Sequence, residues 1–295
     1  HRDLHKEYRR QRQMCIRDRS FLAPFDLGEI VHQKLVGGGC ISETRRVFLD
    51  SGKSYFLKLN EQAPADFFAS EAKSLEALSI ENSLRVPNVM VAERNFILLE
   101  DLGAGSPNSE YWDTLGEGLA NLHKIESNTF GFTTDNYCGS TPQRNPNMKN
   151  GYEFFGQYRL ITLSSKAFEQ QLLKKKELKQ IEFIASNLTN LIPSQKPVLI
   201  HGDLWSGNVH CDEEGNPCLV DPAAYWGWAE AELSMTQLFG GFDQRFYDSY
   251  ESCSKIDNQW RERGQLYNLY HLLNHLIIFG TRYLRQIKLV LDRFA

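Results

Sequence analysis

The segment His201-Gly202-Asp203-Leu204-Trp205-Ser206-Gly207-Asn208 decides how the rest of the chain is interpreted. It directly follows Val198-Leu199-Ile200, an apolar run short enough to be a buried strand. Polar side chains that come directly after a buried strand lie at the edge of a sheet, where functional sites are commonly built. Asp203 and Asn208 share one glycine-containing loop, so the segment predicts a polar site with Asp203 at its centre.

A second carboxylate, Asp221, follows the apolar run Cys218-Leu219-Val220 and precedes Pro222. The turn at 212–216 predicts a hairpin between strands at 209–211 and 218–220, across which Asp221 would approach the 201–208 segment. Two carboxylates and an amide suit Mg²⁺ ligation by Asn208 and Asp221, with Asp203 left to orient a hydroxyl. The alternative is that these residues only cap strands and turns, but their joint spacing favours a site.

A glycine-rich turn, Gly37-Gly38-Gly39-Cys40, precedes a predicted hairpin near the start of the chain. Its glycines either let backbone N–H groups approach phosphate oxygens or only make the turn flexible. Lys58 lies in an apolar strand, where a cation needs an anionic partner, and Glu71 on the next helix is the candidate. A Lys58–Glu71 pair predicts a contact with nucleotide phosphates, and the alternative is a plain structural salt bridge.

The predicted elements form a small β-rich N-terminal lobe and a larger helical C-terminal lobe, which is an α+β fold class. Strands are predicted at 45–49, 55–59 and 95–100 with a helix at 65–78, whereas the later helices are predicted at 114–123, 165–192 and 265–291. We place the lobes at residues 21–100 and 105–295, joined by a hinge at 101–104. Backbone groups from Glu100 to Gly103, including Leu102, are expected to face an adenine.

The order of these motifs resembles the parts of a protein-kinase-like phosphotransferase, with Asp221-Pro222-Ala223 in the place of the metal-binding Asp motif. The resemblance is closer to one family. The segments GGGCIS (37–42), FLKLN (56–60), GSTPQRN (139–145), HGDLWSGN (201–208) and LFGGF (238–242) are similar to those of the fructosamine kinase, or ketosamine-3-kinase, family. The similarity extends from about Phe25 to near the C-terminus.

This resemblance implies a two-lobed kinase-like fold and an enzyme that uses ATP and Mg²⁺. It implies phosphorylation of the sugar 3-hydroxyl of ketosamines, which are fructosamine or ribulosamine adducts, free or protein-bound. The phosphorylated adduct then falls off and frees the amine, so the implied activity is deglycation. Asp203 is the implied base, and the candidate substrate residues are His201, Trp205, Gln143, Asn145 and Tyr225. Trp205 either stacks on a sugar or only forms a wall of the loop.

Two segments depart from the family pattern. Asn147 and Gly151 stand where the family usually has Trp, and residues 225–230 read YWGWAE in place of the usual YYGHRE. Because this region borders the implied acceptor site, the substrate preference stays open. The alternatives are an aminoglycoside- or choline-like phosphotransferase, which shares HGDxxxxN, and a pseudokinase binding module. Intact Lys58, Asp203 and Asp221 argue against a pseudokinase.

The composition argues against nucleic-acid and membrane partners. The chain has 33 Lys+Arg, 37 Asp+Glu and a net charge of −4, so it lacks a broad basic excess. An apolar run of about 18 residues, as a membrane span needs, is missing. The six cysteines form no CxxC pair, and with no secretory signal visible we expect reduced thiols and a cytoplasmic protein. Residues 1–20 are basic and lack helical periodicity, which indicates a non-native or disordered arm; an arm that binds an anionic partner is the alternative.

Cysteine and histidine positions raise two further questions. Cys40, in the glycine-rich turn near Lys58, is a redox candidate whose oxidation would block the loop, or else an unreactive small residue that fills the turn. A Cys40–Cys40 bridge would make a redox-linked homodimer in place of a monomer. His271 and His275 have the i, i+4 spacing of metal ligands, but with no third ligand evident we expect core or surface histidines.

Overall fold

The computed structural model describes residues 22–37 and 42–295. The predicted arm at 1–20 and the predicted site residues Gly38, Gly39 and Cys40 lie outside the described residues. Contacts between α-carbons divide the chain into two compact units. The first unit comprises the residues up to Phe68 together with Asn88–Asp101, and the second comprises Ala69–Pro87 and Leu102–Ala295.

The first unit is built on a five-stranded antiparallel sheet in the order β1-β2-β3-β5-β4. Its strands are β1 (Ile30–Leu35), β2 (Glu43–Leu49), β3 (Ser54–Leu59), β4 (Val89–Ala92) and β5 (Phe96–Glu100). The predicted hairpin is confirmed, since Val47 pairs with Tyr55 and Gly52 turns the chain at φ +79°. Leu57 and Leu98 lie in the apolar core of this unit.

Helices dominate the second unit, with three short two-stranded sheets between them. The helices are α1 (Phe67–Leu78, which begins in the first unit), α2 (Tyr111–Leu122), α3 (Gly151–Phe155), α4 (Thr162–Glu169), α5 (Lys175–Ser186), α6 (Leu188–Leu191), α7 (Ala229–Leu238), α8 (Gln244–Cys253), α9 (Trp260–Phe279) and α10 (Leu284–Phe294). A π-helical segment, Gly156–Ile161, joins α3 to α4. The sheets pair β6 (Asn136–Cys138) with β7 (Thr141–Gln143), β8 (Val198–Ile200) with β11 (Tyr225–Gly227), and β9 (Val209–Cys211) with β10 (Pro217–Leu219).

These elements confirm the predicted α+β class and the predicted hairpin at 209–220. None of the helices in the described part of the chain has the length and apolar character needed to cross a membrane.

The single long helix predicted at 165–192 is wrong, and the helical region predicted at 265–291 is helical but interrupted, because local backbone breaks divide both segments. The helix predicted at 165–192 is split where Gln171 adopts φ +60°, and α5 restarts where the Glu177 carboxylate accepts the Lys174 N–H at 3.0 Å. The helix predicted at 265–291 ends at Gly280, whose φ of +84° suits glycine best. The chain resumes as α10 only after a 3₁₀ turn at Thr281–Tyr283.

Candidate active site

The 201–208 loop lies in the second unit and connects the short strands β8 and β9. β8 leads into the loop and pairs with β11, with Ile200 opposite Tyr225. The Ala223 N–H donates to the His201 carbonyl at 2.9 Å. Gly202 adopts φ +82°, and a Cβ there would lie 2.2 Å from the Ala223 carbonyl oxygen. The glycine of the HGD motif is therefore required by close backbone approach.

Asp203 follows this turn, with its side chain only 18% exposed. The Asn208 amide donates to the Asp203 carbonyl at 2.8 Å and to its carboxylate Oδ2 at 3.3 Å. Burial raises the pKa of Asp203 to about 7, and the charges of Asp221 and Glu232 act in the same direction, whereas the Asn208 hydrogen bond opposes them. A carboxylate with such a pKa can accept a proton near neutral pH.

Asp221 lies close enough to Asp203 to affect its ionisation and has a special backbone conformation. It adopts φ +57°, an uncommon value for a non-glycine residue, and it is solvent-exposed. The Val220 N–H donates to the Asn208 carbonyl at 3.1 Å, which connects the residue before Asp221 to the 201–208 loop. The Asn208 amide nitrogen donates to Asp203, so the amide oxygen of Asn208 remains as a possible ligand. This oxygen and the Asp221 carboxylate are the donors that suit Mg²⁺.

His201 supports the loop from within. Its side chain is fully buried, and its Nε2–H donates to the Val220 carbonyl at 2.9 Å. Its Nδ1 accepts the Asp203 N–H at 3.3 Å. His201 therefore fixes both the loop and the strand that leads to Asp221, and its predicted contact with substrate stays a prediction.

Glu232 is a site residue that the sequence reasoning missed. It is 2% exposed on α7, and its carboxylate accepts the backbone N–H of Gly202 at 3.0 Å and that of His201 at a shorter distance. His123 Nε2 lies 3.8 Å from the same carboxylate, and His123 Nδ1 pairs with the Tyr250 hydroxyl at 2.7 Å. A glutamate inside the apolar helix 229–238 was the available signal, because a buried carboxylate requires donors.

We expect Glu232→Gln to lower turnover about 10–100-fold, because a hydrogen bond to a charged group contributes about 1.5–3 kcal/mol. A glutamine amide offers one acceptor oxygen where two backbone N–H groups now converge on the carboxylate. Steady-state kinetics below the unfolding transition measure the effect. Glu230→Gln on the same helix is the matched control, since Glu230 binds Arg263 and Tyr267 instead of the loop. Equal turnover losses in both variants would show that only stability had changed.

Two amides of the 136–145 segment hold the chain that follows Asp221. Gln143 Nε2 donates to the Ala223 carbonyl at 3.1 Å, and Asn136 Nδ2 donates to the Ala224 carbonyl at 2.9 Å. Both side chains are buried, at 3% and 2% exposure. The predicted site residue Gln143 therefore lies beneath the site and positions its backbone.

Asn145 and Tyr225 belong to the same buried arrangement. Asn145 Nδ2 donates to Asn136 Oδ1 at 2.9 Å, and Arg159 Nη2 donates to Asn145 Oδ1 at 2.6 Å. The fully buried Arg159 guanidinium stacks 4.1 Å from the centre of the Tyr225 ring. The structure thus brings Gln143, Asn145 and Tyr225 together, and their predicted contact with substrate stays a prediction.

Trp205 is the exposed member of the predicted substrate residues, at 38%. Its ring meets Phe239 edge-on with centroids 6.1 Å apart. Phe239 in turn contacts the His275 ring at 4.8 Å and the Tyr283 ring at 6.5 Å. These four residues, which we call the aromatic cluster, include Trp205 of the 201–208 loop and Phe239 of the LFGGF motif.

The structure agrees with the expectation that His271 is a core or surface histidine, because its side chain is buried. His271 is 5% exposed on α9, and its Nδ1 lies 3.9 Å from Asp203 Oδ1. The Cys138 thiol completes a group of three possible ligands. His275 is not part of this group, and the approach of Cys138 and Asp203 to His271 could not be seen in the sequence because the three residues come from distant segments.

The residues predicted to bind nucleotide lie in both units. Lys58 is buried on β3, Gly37 is exposed, and the Glu100 carboxylate accepts the Asn88 N–H at 3.1 Å. Glu71 lies on α1, and the Leu102 carbonyl accepts the Glu213 N–H at 3.2 Å. The Lys58–Glu71 pair and the adenine-facing hinge stay predictions.

Comparisons with known proteins agree with this geometry. The family model described as fructosamine kinase matches residues 21–295. A probable ketoamine kinase of Synechocystis is 35% identical over 92% of this chain and 91% of its own, and the chloroplastic protein-ribulosamine 3-kinase of Arabidopsis thaliana is 34% identical over 88% and 81%. A crystal structure of a candidate fructosamine-3-kinase from Thermobifida fusca superposes with a TM-score of 0.85 at 28% identity, covering 93% of this chain and 98% of that one. The predicted kinase-like fold is thereby confirmed.

Proposed function

Since the chain belongs to the fructosamine kinase family of ATP-dependent phosphotransferases, we propose that it phosphorylates the sugar 3-hydroxyl of ketosamines. The observation that carries the proposal is Asp203, held by Asn208 beside Asp221 with a pKa raised to about 7. A relative from Arabidopsis thaliana is named a protein-ribulosamine 3-kinase and the matching family model is described as fructosamine kinase, which together support ribulosamine and fructosamine adducts as acceptors. Loss of the phosphorylated adduct would free the amine, so the proposed role is deglycation.

In this proposal Asp203 accepts the proton of the acceptor hydroxyl while the hydroxyl oxygen attacks the γ-phosphorus of ATP. The new O–P bond forms while the bond to the ADP oxygen breaks, and the proton remains on the carboxyl until solvent removes it. Asn208 and the Gly202 turn hold Asp203 for this step. Positioning and charge stabilisation supply most of the rate in phosphoryl transfer, so the rigidity of this loop matters directly.

Asn208 and Asp221 would hold the Mg²⁺ that accompanies ATP. Their donors are an amide oxygen and a carboxylate, which fit a hard cation. When bound, the cation neutralises developing charge on the phosphate oxygens. The uncommon φ of Asp221 supports a functional constraint, because non-glycine residues in this region persist where the surroundings impose them.

On the nucleotide side, we assign phosphate contacts to Lys58, supported by Glu71, and to the turn that begins at Gly37. Backbone groups at Glu100 and Leu102 would face the adenine. A buried lysine on a β-strand is the supporting observation, because a desolvated ammonium requires anionic partners.

The aromatic cluster is the proposed wall for the acceptor. Trp205 is exposed two residues after Asp203 in the chain, and its ring contacts that of Phe239. Arg282 lies 5.1 Å from the Tyr283 ring and adds a cation at the edge of the cluster. An apolar ring face suits the C–H face of a sugar, and this exposed position is compatible with free as well as protein-bound adducts.

Consumption of ATP with a panel of acceptors tests the proposed function. With Mg²⁺ present we expect turnover with ribulose-lysine or fructose-lysine and none above background with choline or kanamycin. Trp205→Ala is expected to raise KM for the ketosamine about 10-fold, as loss of one stacking contact of about 1–1.5 kcal/mol requires. Turnover with kanamycin or choline alone would overturn the assignment, and ATP hydrolysis independent of every acceptor would contradict it as well.

A further inference from the structure

Three possible metal ligands converge on one side of the 201–208 loop. Cys138 ends β6, His271 lies in the middle of α9, and Asp203 follows the Gly202 turn. One ligand atom from each residue lies within 4.8 Å of the other two. Cys138 and His271 have no part in the phosphotransfer chemistry proposed above, so their approach to Asp203 needs its own explanation.

The His271 ring is buried without a hydrogen bond at Nδ1. It is 5% exposed, and Nδ1 has no hydrogen-bond partner among the described residues. Burial, with a smaller effect from the charges of His275 and Arg159, lowers the pKa of His271 to about 3, so the ring is neutral near pH 7. Asp203 Oδ1 lies 3.9 Å from Nδ1, which is too far for a hydrogen bond, so the contact leaves Nδ1 available as a ligand. A neutral imidazole is the form that binds metal ions.

We propose that Cys138, Asp203 and His271 form a binding site for Zn²⁺ or a similar borderline-soft divalent cation. A thiolate, an imidazole and a carboxylate are the donors that zinc takes, with the fourth position left to water. Mg²⁺ does not compete for this donor set, because it prefers oxygen ligands alone. Occupancy of the site removes Asp203 from its role as base, and this second step rests on the proposed function.

The geometry requires only small movements to close the site. Zinc bonds of about 2.0–2.3 Å place tetrahedral ligand atoms about 3.3–3.8 Å apart, so side-chain shifts of about 1 Å are sufficient. Asn274 Nδ2 donates to Cys138 Sγ at 3.3 Å and orients the sulfur. The Asp203 side chain is 18% exposed and offers the entry path.

The charges around Asp203 and the proton of the Cys138 thiol are both compatible with binding of a divalent cation. The carboxylates of Asp221 and Glu232 act on Asp203 and make this region favourable for a cation. Burial raises the pKa of the Cys138 thiol well above its usual value, so the thiol is protonated in the absence of metal. Zinc binding therefore forms the S–Zn bond and releases the thiol proton to solvent, as metal binding to cysteine commonly does.

Cobalt(II) is the spectroscopic probe for this site. After treatment with a chelator, the full chain is titrated with Co²⁺, and we expect visible d–d bands of a tetrahedral site with a thiolate-to-cobalt charge-transfer band in the near ultraviolet. Addition of Zn²⁺ should remove both bands. A cobalt complex that lacks the charge-transfer band would overturn the proposal, because Cys138 would then not be a ligand.

Matched variants separate this site from other thiols and histidines. Cys138→Ser and His271→Phe should weaken Co²⁺ binding by at least about 100-fold, since loss of an outer-shell partner alone costs about 10–100-fold. Cys218→Ser removes another buried thiol, which lies 3.8 Å from Asp212, and His275→Phe removes the other histidine of the pair. Both controls should keep the charge-transfer band. Thermal unfolding confirms that each variant is folded, and Cys138→Ala replaces Cys138→Ser if the serine variant is unstable.

Inhibition of the enzyme activity by Zn²⁺ is the second test of the proposed metal site. Zn²⁺ should inhibit ketosamine phosphorylation at saturating Mg²⁺, and the half-inhibitory concentration should rise at least about 100-fold in Cys138→Ser. Equal zinc inhibition of wild type and Cys138→Ser would contradict the regulatory consequence. If no ketosamine is phosphorylated while the cobalt bands depend on Cys138, the proposed function fails and the metal site stands. If the bands are absent while ketosamine turnover is normal, the metal site alone fails.

Discussion

Asp203→Asn is expected to lower ketosamine turnover by about 10²–10⁴-fold while ATP affinity stays near that of the wild type. The asparagine amide keeps the size of the side chain but cannot accept the hydroxyl proton. Because Asp203 is assigned to the acceptor and not to the nucleotide, kcat carries the loss. Steady-state kinetics and calorimetric titration with ATP and Mg²⁺ measure the two quantities separately. Asp248→Asn, at an exposed carboxylate on α8, is the matched control.

The same substitution gives a readout that does not depend on activity. The pKa of Asp203 is about 7 in the folded protein, above the usual value of 3.8, so the folded state binds more protons than the unfolded state between these values. The free energy of unfolding therefore falls as pH rises from about 4 to about 7. Asp203→Asn removes this penalty, so its Tm without divalent metal should exceed that of the wild type at pH 8 and differ little at pH 4.

A near-wild-type rate in Asp203→Asn would show that the site assignment is wrong. A Tm difference that does not change with pH would instead contradict the raised pKa and leave the catalytic assignment intact.

Asp221→Asn is expected to weaken binding of ATP with Mg²⁺ as well as turnover. An amide contributes no charge to the cation, so we expect the apparent Mg²⁺ requirement to rise about 10-fold or more and kcat to fall about 10²-fold. Asparagine tolerates positive φ, so the backbone at φ +57° is retained and the effect is one of charge. Titration of ATP binding against Mg²⁺ concentration is the measurement. The variant should thus differ from Asp203→Asn, whose ATP affinity is unchanged.

If Asp221→Asn lost turnover with no change in Mg²⁺ dependence, Asp221 would have to be reassigned from cation binding to acceptor or transition-state contact. The charge of Asp221 also contributes to the raised pKa of Asp203. Asp221→Asn should therefore lower the pKa of Asp203 in metal-free protein, so that the fall in the free energy of unfolding, which begins near pH 4, ends at a lower pH than in the wild type.

Much of the site was predictable because its parts are local. A buried strand, a glycine turn and an Asp-x₄-Asn spacing identify the 201–208 loop, and the structure shows the Asn208–Asp203 hydrogen bonds that this spacing permits. The hairpin that leads to Asp221 was likewise predictable, since β9 and β10 are joined by a short turn with turn-forming residues. Alternation on β3 correctly placed Leu57 in the apolar core, but Lys58 is buried as well, so the burial of this strand does not alternate as predicted.

Helix limits were less predictable because a single residue can end a helix within an apolar pattern. Glutamine is not a residue type that indicates a helix end, yet Gln171 adopts φ +60° and breaks the helix predicted at 165–192. Gly280 is a residue type that commonly ends a helix, and it does end α9. Apolar residues on both sides of it nevertheless favoured one continuous helix.

Only the tertiary packing determines which buried residues surround Asp203 and its loop. Glu232 follows Gly202 by 30 positions, and His271 and Cys138 reach Asp203 from 68 positions after and 65 positions before it. No periodicity links residues so far apart, because their contact depends on how α7, α9 and β6 pack around one core. Strand and turn chemistry along the chain thus specified which groups carry out the proposed reaction. Packing specified which buried groups hold them, because a carboxylate or imidazole removed from water is stabilised only by the donors and charges that the folded chain brings to it.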